Sequence, residues 1–311
     1  MPKFMRKTTI LAKVETTAGT DAIPTGGANA ILVRNVNCTP LELNVAERNI
    51  VRGFFGNFDG LPTSRKMKLS FEVEAASSGT AGSAAAWAPL MLACGTTETL
   101  TAVTKADYAP NSANTTTLSM YVNIDGVMHK MLYARGNCSF KLKANDIPVF
   151  AFDFIALDGG IADVAAPTPT YTAFQTPLPA TKTNTPTFSL HGVATLAVES
   201  LDINFGNQIE QITRIGAESI QQTDRKTTGT VMFEMTSIAT KDWFATIRAS
   251  TDAALSLIHG TVGGQIIEVA APTVELMTPV YSDVQGIQML QLSLRFLPSN
   301  SGNDEFKFTA R

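Results

Sequence analysis

Apolar and polar side chains alternate over five to eight positions through most of this chain. In Lys68-Leu69-Ser70-Phe71-Glu72-Val73-Glu74 every second residue is apolar, the period of a strand with one buried and one wetted face. The same rhythm predicts strands over 117–124, 129–134, 138–143 and 149–156, and again over 196–205, 229–235, 265–269, 273–277 and 289–296. Asp125-Gly126 falls between two of these runs and predicts a tight hairpin turn. Two segments break the pattern and predict helices. One is 84–93, followed by Cys94-Gly95, where glycine supplies a left-handed cap; the other is 241–249, running up to Ser250. The two tryptophans, Trp87 and Trp243, fall at these helices and are expected to anchor them to the sheets. The predicted fold class is mainly β: sandwich or barrel domains, each with one helix packed on its sheets.

Self-comparison adds an internal repeat. Residues 41–66 match 201–226 without a gap at a shift of 160, pairing Leu41 with Leu201, Asn44 with Asn204, Gly56 with Gly216 and Arg65 with Arg225. Phe71-Glu72 answers Phe233-Glu234 at a shift of 162, and Trp87 answers Trp243 at 156. The apolar rhythm of 147–157 returns in 287–297 at 140, with Phe150, Phe152 and Phe154 opposite Leu290, Leu292 and Leu294. Four matches in one order predict a tandem duplication: a first domain over 1–164 with an extended N-terminal arm, a Pro/Thr-rich linker over 165–187, and a second domain over 188–311. The linker carries Pro167, Pro169, Pro177, Pro179 and Pro186, an extended and semi-stiff composition.

Each copy also predicts a connection far longer than a hairpin loop, 46–64 in the first and 206–224 in the second. The first holds Phe54, Phe55 and Phe58, spaced by Gly53, Gly56 and Gly60. Such a loop either meets a partner surface or folds back over its own sandwich. Ile209, Ile212, Ile215 and Ile220 in the second fit either arrangement.

Composition removes several function classes. With 24 basic and 27 acidic residues the net charge is −3, opposite to that of a dedicated nucleic-acid binder. The first 20 residues contain no signal-peptide core, and the uncharged run 84–94 is too short to span a bilayer. Cys38, Cys94 and Cys138 are odd in number and lie outside metal-ligand spacing, which predicts reduced thiols. His129, His191 and His259 have no ligand partners nearby and are expected at the surface or in hydrogen bonds. The glycine pairs Gly26-Gly27 and Gly263-Gly264 lack the lysine of a phosphate-binding loop, and no nucleophile elbow is present. No cofactor, metal or catalytic residue is expected.

One stretch is more specific. Ile10-Leu11-Ala12-Lys13-Val14-Glu15-Thr16-Thr17-Ala18-Gly19-Thr20-Asp21, followed by Pro24-Thr25-Gly26-Gly27-Ala28-Asn29-Ala30-Ile31, resembles the start of phage tail tube proteins. The resemblance is most specific over the first 35 residues and elsewhere rests on architecture. It implies a virion structural protein, assembled in the host cytoplasm, whose tube domains form six-domain rings. The inner strands of a ring would join into one barrel, and stacked rings would form a channel for double-stranded DNA. With two domains per chain, three chains complete a ring; six-chain rings are the alternative. Other tail proteins are the further partners, and no membrane is involved. The long loops would make ring-stacking contacts through Phe54, Phe55, Phe58, Ile212, Ile215 and Ile220. A conduit for a polyanion works best with a polar wall that is neutral or negative. On that logic Glu42, Glu72, Glu74, Asp153, Asp202, Asn204, Glu234, Gln291 and Ser293, which are out of phase with the apolar set, are the lumen candidates. The alternatives are another phage tail component, such as a terminator, minor tail or decoration protein, or an adhesive, carbohydrate-binding β-sandwich.

Overall fold

The computed structural model describes residues 2–194 and 196–311, and β-structure dominates it. The first part of the chain forms β1 (Thr8–Val14), β2 (Ala30–Ile31), β3 (Arg34–Ala46), β4 (Leu61–Glu74), β5 (Thr96–Thr101), β6 (Lys105–Pro110), β7 (Leu118–Ile124), β8 (Val127–Lys143) and β9 (Val149–Asp163). The second part forms β10 (Thr187–Leu190), β11 (Val198–Asn204), β12 (Asn207–Arg214), β13 (Ala217–Arg225), β14 (Thr228–Glu234), β15 (Ala253–His259), β16 (Ile267–Val284), β17 (Ile287–Phe296) and β18 (Lys307–Ala310). Three short α-helices accompany them among the described residues: α1 (Gly26–Asn29), α2 (Ala88–Ala93) and α3 (Trp243–Arg248).

All strands except β12 and β13 join one antiparallel hydrogen-bonded network, which does not close into a barrel. Its central run is β3-β4-β9-β8-β11-β14-β17-β16. The first four of these strands and the last four occur in the same relative order, the hairpin followed by the pair β9-β8 or β17-β16. The seam between the halves is ordinary strand pairing, with Ser139–Lys143 of β8 against Asn204–Ser200 of β11.

Two pairs of predicted strands turn out to be single long strands. β8 covers both 129–134 and 138–143, and β16 covers both 265–269 and 273–277, apart from its first residues. Near its start β8 pairs with β7, and near its end with β11, with ladder irregularities between His129 and Met131 and between Leu132 and Arg135. β16 likewise leaves β15 and β18 to run on beside β17. A bulge shifts the phase of the apolar pattern, so one strand reads as two. Asp125-Gly126 does form the tight turn between β7 and β8, with φ of 47° and 92°.

One continuous apolar core lies behind the central run. Phe71 stacks against Phe154 at 5.9 Å, and Phe140 and Phe150 hold Phe308 at 5.4 and 5.6 Å. Phe308 belongs to β18, which is paired between β16 and β6 and so ties the end of the chain to its first half. The tryptophans do anchor the helices. Trp87 packs 4.8 Å from Tyr108 and donates its ring N–H to the Ala76 carbonyl at 2.7 Å. Trp243 packs 5.1 Å from Phe233 and donates to Thr236 Oγ1 at 2.9 Å. Asp242 caps α3 by accepting from the Ala245 amide at 2.8 Å.

The proline-rich segment forms no strand before Thr187, the first residue of β10, but is pinned along its length. Ala180 exchanges backbone hydrogen bonds with Asn145 and Asp146, and the Asn184 carbonyl accepts from Gly260 N–H at 2.6 Å. The segment 206–224, expected as a loop, is instead the hairpin β12-β13. Its alternating Ile209, Gln211 and Ile220, Gln222 positions have strand periodicity, masked in the sequence by their polar neighbours.

Candidate channel face and assembly edges

The central run has one apolar and one polar face, and register fixes which residues share each. Arg34, Glu72, Ala151, Ser139, Asn204, Thr228, Arg295 and Glu275 lie opposite one another in a row crossing eight strands. A neighbouring row holds Glu74, Val149, Lys141, Asp202, Thr230, Ser293 and Met277. Since side chains alternate between faces, these rows place Asp153, Glu234 and Gln291 on the polar side as well. Glu42 joins them through its partner Lys66. The structure therefore brings all nine acidic and polar lumen candidates to a single face.

Sequence reasoning missed the basic residues on that face, although the same alternation marks them. Arg34, Lys66, Lys68, Lys141, Lys143 and Arg295 stand among Glu42, Glu72, Glu74, Asp153, Asp202, Glu234 and Glu275, so the face is close to neutral. Glu42 reaches Lys68 at 2.7 Å and Lys66 at 3.1 Å. Glu72 accepts from Arg34 Nε at 3.0 Å and Asn35 Nδ2 at 2.7 Å, with Lys141 at 3.6 Å. Arg295 pairs with Glu275 at 3.0 Å. Partial burial pulls the Glu72 carboxyl upward, but the hydrogen bonds from Asn35 and Arg34 outweigh it and hold the pKa below the usual carboxylate range. Hydrogen bonds from Lys68 and Lys66 lower that of Glu42. Asp202 is shifted the other way, raised by partial burial that Lys141 only partly offsets.

The two ends of the central run contrast with its middle. At the internal joint Leu201 lies opposite Leu142 and Ile203 opposite Phe140. Phe205 donates its backbone N–H to Cys138 O at 2.9 Å and packs at a tilt against Phe306, ring centroids 4.3 Å apart. Leu201, Ile203 and Phe205 are each 0% exposed. At a shift of 160 their counterparts are Leu41, Leu43 and Val45, and these are 44%, 43% and 44% exposed. β3 pairs only with β4, and residues 280–284 of β16 pair only with β17. Val280 and Tyr281, 50% and 55% exposed, stand along that second open edge. An unpaired edge offers a row of free N–H and C=O groups to another strand.

The loop candidates divide. Phe54 and Phe55 stand in solvent, whereas Phe58 is half-buried beneath Arg52, whose guanidinium lies 4.7 Å from the ring. Ile215 is fully exposed at the β12-β13 turn and Ile212 is half-buried. Ile220 is 0% exposed and presents no surface. The β12-β13 hairpin lies against the first half of the chain: Asn207 Nδ2 donates to Cys94 O at 2.7 Å and Gly136 O at 3.1 Å, Gln211 Nε2 to Arg65 O at 3.0 Å, and Gln221 Nε2 to Tyr133 Oη at 3.2 Å.

The N-terminal stretch that carries the resemblance is organised around a buried carboxylate. Glu15 accepts from Gly19 N–H at 2.6 Å, Thr117 Oγ1 at 2.6 Å, Ser119 Oγ at 2.9 Å and Tyr133 N–H at 2.9 Å. Asp21 accepts from Tyr121 Oη and Lys130 Nζ. Gly19, at φ 79° and with Tyr133 against it, supplies a turn that a side chain would strain. These residues hold the arm to β7 and β8.

Among the described residues no group of three or more His, Cys, Asp or Glu side chains is placed to hold a metal ion, and no helix is long and apolar enough to cross a membrane. Cys94 and Cys138 are buried, and burial pushes both thiols well above their usual pKa. The histidines are buried rather than superficial: His191 Nε2 bonds Val274 O at 2.8 Å, and His259 bonds Thr185 Oγ1 and Leu178 O.

The central run is polar on one face, covered by a core on the other and open at both edges, the geometry of a sheet that a further strand can extend. A family model of phage tail tube proteins matches residues 5–296, and the chain belongs to that family. Its place is accordingly structural, in the virion tail, with self-association and other tail proteins as its partners. No curated protein sequence matches it significantly.

Proposed function

We propose that the chain arose by tandem duplication of one tube domain and that three copies close into a ring of six domains. Rings stack into a tube, and double-stranded DNA passes through its lumen into the host. The observation that carries this reading is the contrast between Leu201, Ile203 and Phe205, buried at the internal joint, and Leu41, Leu43 and Val45, exposed at the free edge. Each of the exposed three is already more than half covered, so burying the remainder contributes roughly half of the 1.5–3 kcal/mol of full burial, about 1 kcal/mol per side chain, which favours a partner strand along β3. The joint supplies the template. β8 and β16 correspond because Ser139 faces Ala151 while Val280 faces Gln291. Transferring the β8-β11 register to the open edges sets Leu43 of one copy opposite Tyr281 of the next, as Ile203 lies opposite Phe140.

Closure in this way removes both free edges. It also turns one continuous face inward, and the near-neutral polar face is the one suited to a channel for a polyanion, because paired charges offer few free cations to trap phosphates. The protein acts by assembly and performs no catalysis. Trimers complete the ring here, whereas a single-domain tube protein needs six chains. Assembly proceeds in the host cytoplasm before incorporation into the tail.

Negative-stain imaging with mass photometry of the purified protein tests the reading. Rings of three times 33.2 kDa that polymerise into hollow tubes are expected. A single ring that never stacks would point to a tail terminator, and a protein that stays monomeric at high concentration would overturn the assembly altogether.

A further inference from the structure

Inside the chain, the second-half hairpin does not project freely: one side of its shaft lies across the first half, and its turn, at Ile215, stands clear. The matching arm of the first half, residues 47–60, has no such seat. Arg48 and Asp59 pair across it at 3.2 Å and Arg52 covers Phe58, so it is held as a closed arm, yet Val51 is 97% exposed and Leu61, at its root, 53%.

We propose that the shaft of this arm lies across the second half of the adjacent copy in the same ring, leaving the tip at Phe54 and Phe55 free for other contacts. The inference rests on the ring assembly given above and specifies a lateral clamp within it. The template is internal. Gln221 of the hairpin contacts Tyr133; its counterpart at the shift of 160 is Leu61, and the counterpart of Tyr133 at the shift of 140 is Thr273. That shift holds at Gly136, which faces Phe154 as Leu276 faces Leu294; across the bulge between Leu132 and Arg135 it slips by one, so Thr273, bonded to Leu297, also answers Leu132 opposite Leu157, the residue beside Tyr133. The hairpins then overlap around the ring, each shaft covering the root of the preceding one, as Gln211 covers Arg65. The occupant is a second copy of this chain, because the seated hairpin and the unseated arm are matching parts of one repeat.

Disulfide trapping tests this on the full chain. A Leu61→Cys, Thr273→Cys variant in a Cys38→Ser background, oxidised while rings are present and before tubes form, is expected to give two- and three-chain covalent species that the single-cysteine variants do not give. Hydrogen exchange of unsubstituted protein should show residues 47–60 slowing by on the order of tenfold when rings form. Trimers in mass photometry without the covalent species and without the slowing would overturn the clamp and leave the ring intact. Covalent species that form only once rings have stacked would also overturn it, by placing the partner in the next ring. Monomers throughout would remove the ring, and the clamp with it.

Discussion

Ile203 lies directly opposite Phe140 across the seam between the two halves, and neither side chain is exposed to solvent. The pair is internal, so its loss should be felt by the monomer. Ile203→Ala is expected to destabilise the folded chain by about 2–5 kcal/mol through cavity formation, read in urea melts. Leu43→Asp, at the matching exposed position, should leave monomer stability within about 0.5 kcal/mol and abolish rings in mass photometry. Equal loss of monomer stability in both would contradict the assignment of β3 as an assembly edge.

Phe54 and Phe55 on the first-half arm and Ile215 at the β12-β13 turn stand in solvent. Replacing all three by serine should preserve rings and prevent their stacking, so that imaging shows isolated rings where the unsubstituted protein gives tubes. Tubes of ordinary length from the triple variant would remove these residues from the stacking contact.

Glu15 satisfies two backbone amides and two hydroxyls. Glu15→Ala would leave buried donors without acceptors, at about 1–3 kcal/mol each where water cannot enter, and a fall in melting temperature is expected. Glu15→Gln keeps one acceptor oxygen and should lose less.

His129, His191 and His259 are buried, and burial lowers each pKa below the ordinary 6.5. Unfolding restores that value, so between the folded and unfolded pKa values the unfolded chain binds more protons. Their contribution is complete above pH 6.5 and is lost as pH falls, with a slope of up to about 1.4 kcal/mol per pH unit for each histidine. Denaturant melts between pH 7.5 and pH 5 should show the decline, and His259→Asn should flatten it.

Reversing charge on the polar face should affect DNA rather than assembly. Tubes of a Glu74→Lys, Asp153→Lys, Asp202→Lys variant should retain duplex DNA at low salt and release it as salt rises, since each phosphate contact adds to the salt dependence. Fluorescence anisotropy with short duplexes would measure this, and unchanged retention would place the face outside the lumen.

Strand identity and face were written in the order of side chains. Alternation around Phe71, Phe150 and Leu290 marked which residues turn to the core, and the same alternation set Glu72 and Asp202 on the other side, because a strand has only two faces. The resemblance was legible in residues 10–31 because Glu15, Gly19 and Asp21 are tied to chemistry that few substitutes supply. What the linear order did not carry was partnership. That β8 leaves β7 for β11, that β18 inserts between β16 and β6, and that Ile220 is covered while Ile215 is bare depend on contacts between residues far apart in the chain. Leu41 and Leu201 have the same identity in the same local pattern. Only the tertiary structure distinguishes the one that has found its partner strand from the one left at an open edge, because burial belongs to a neighbour's position and not to the residue itself.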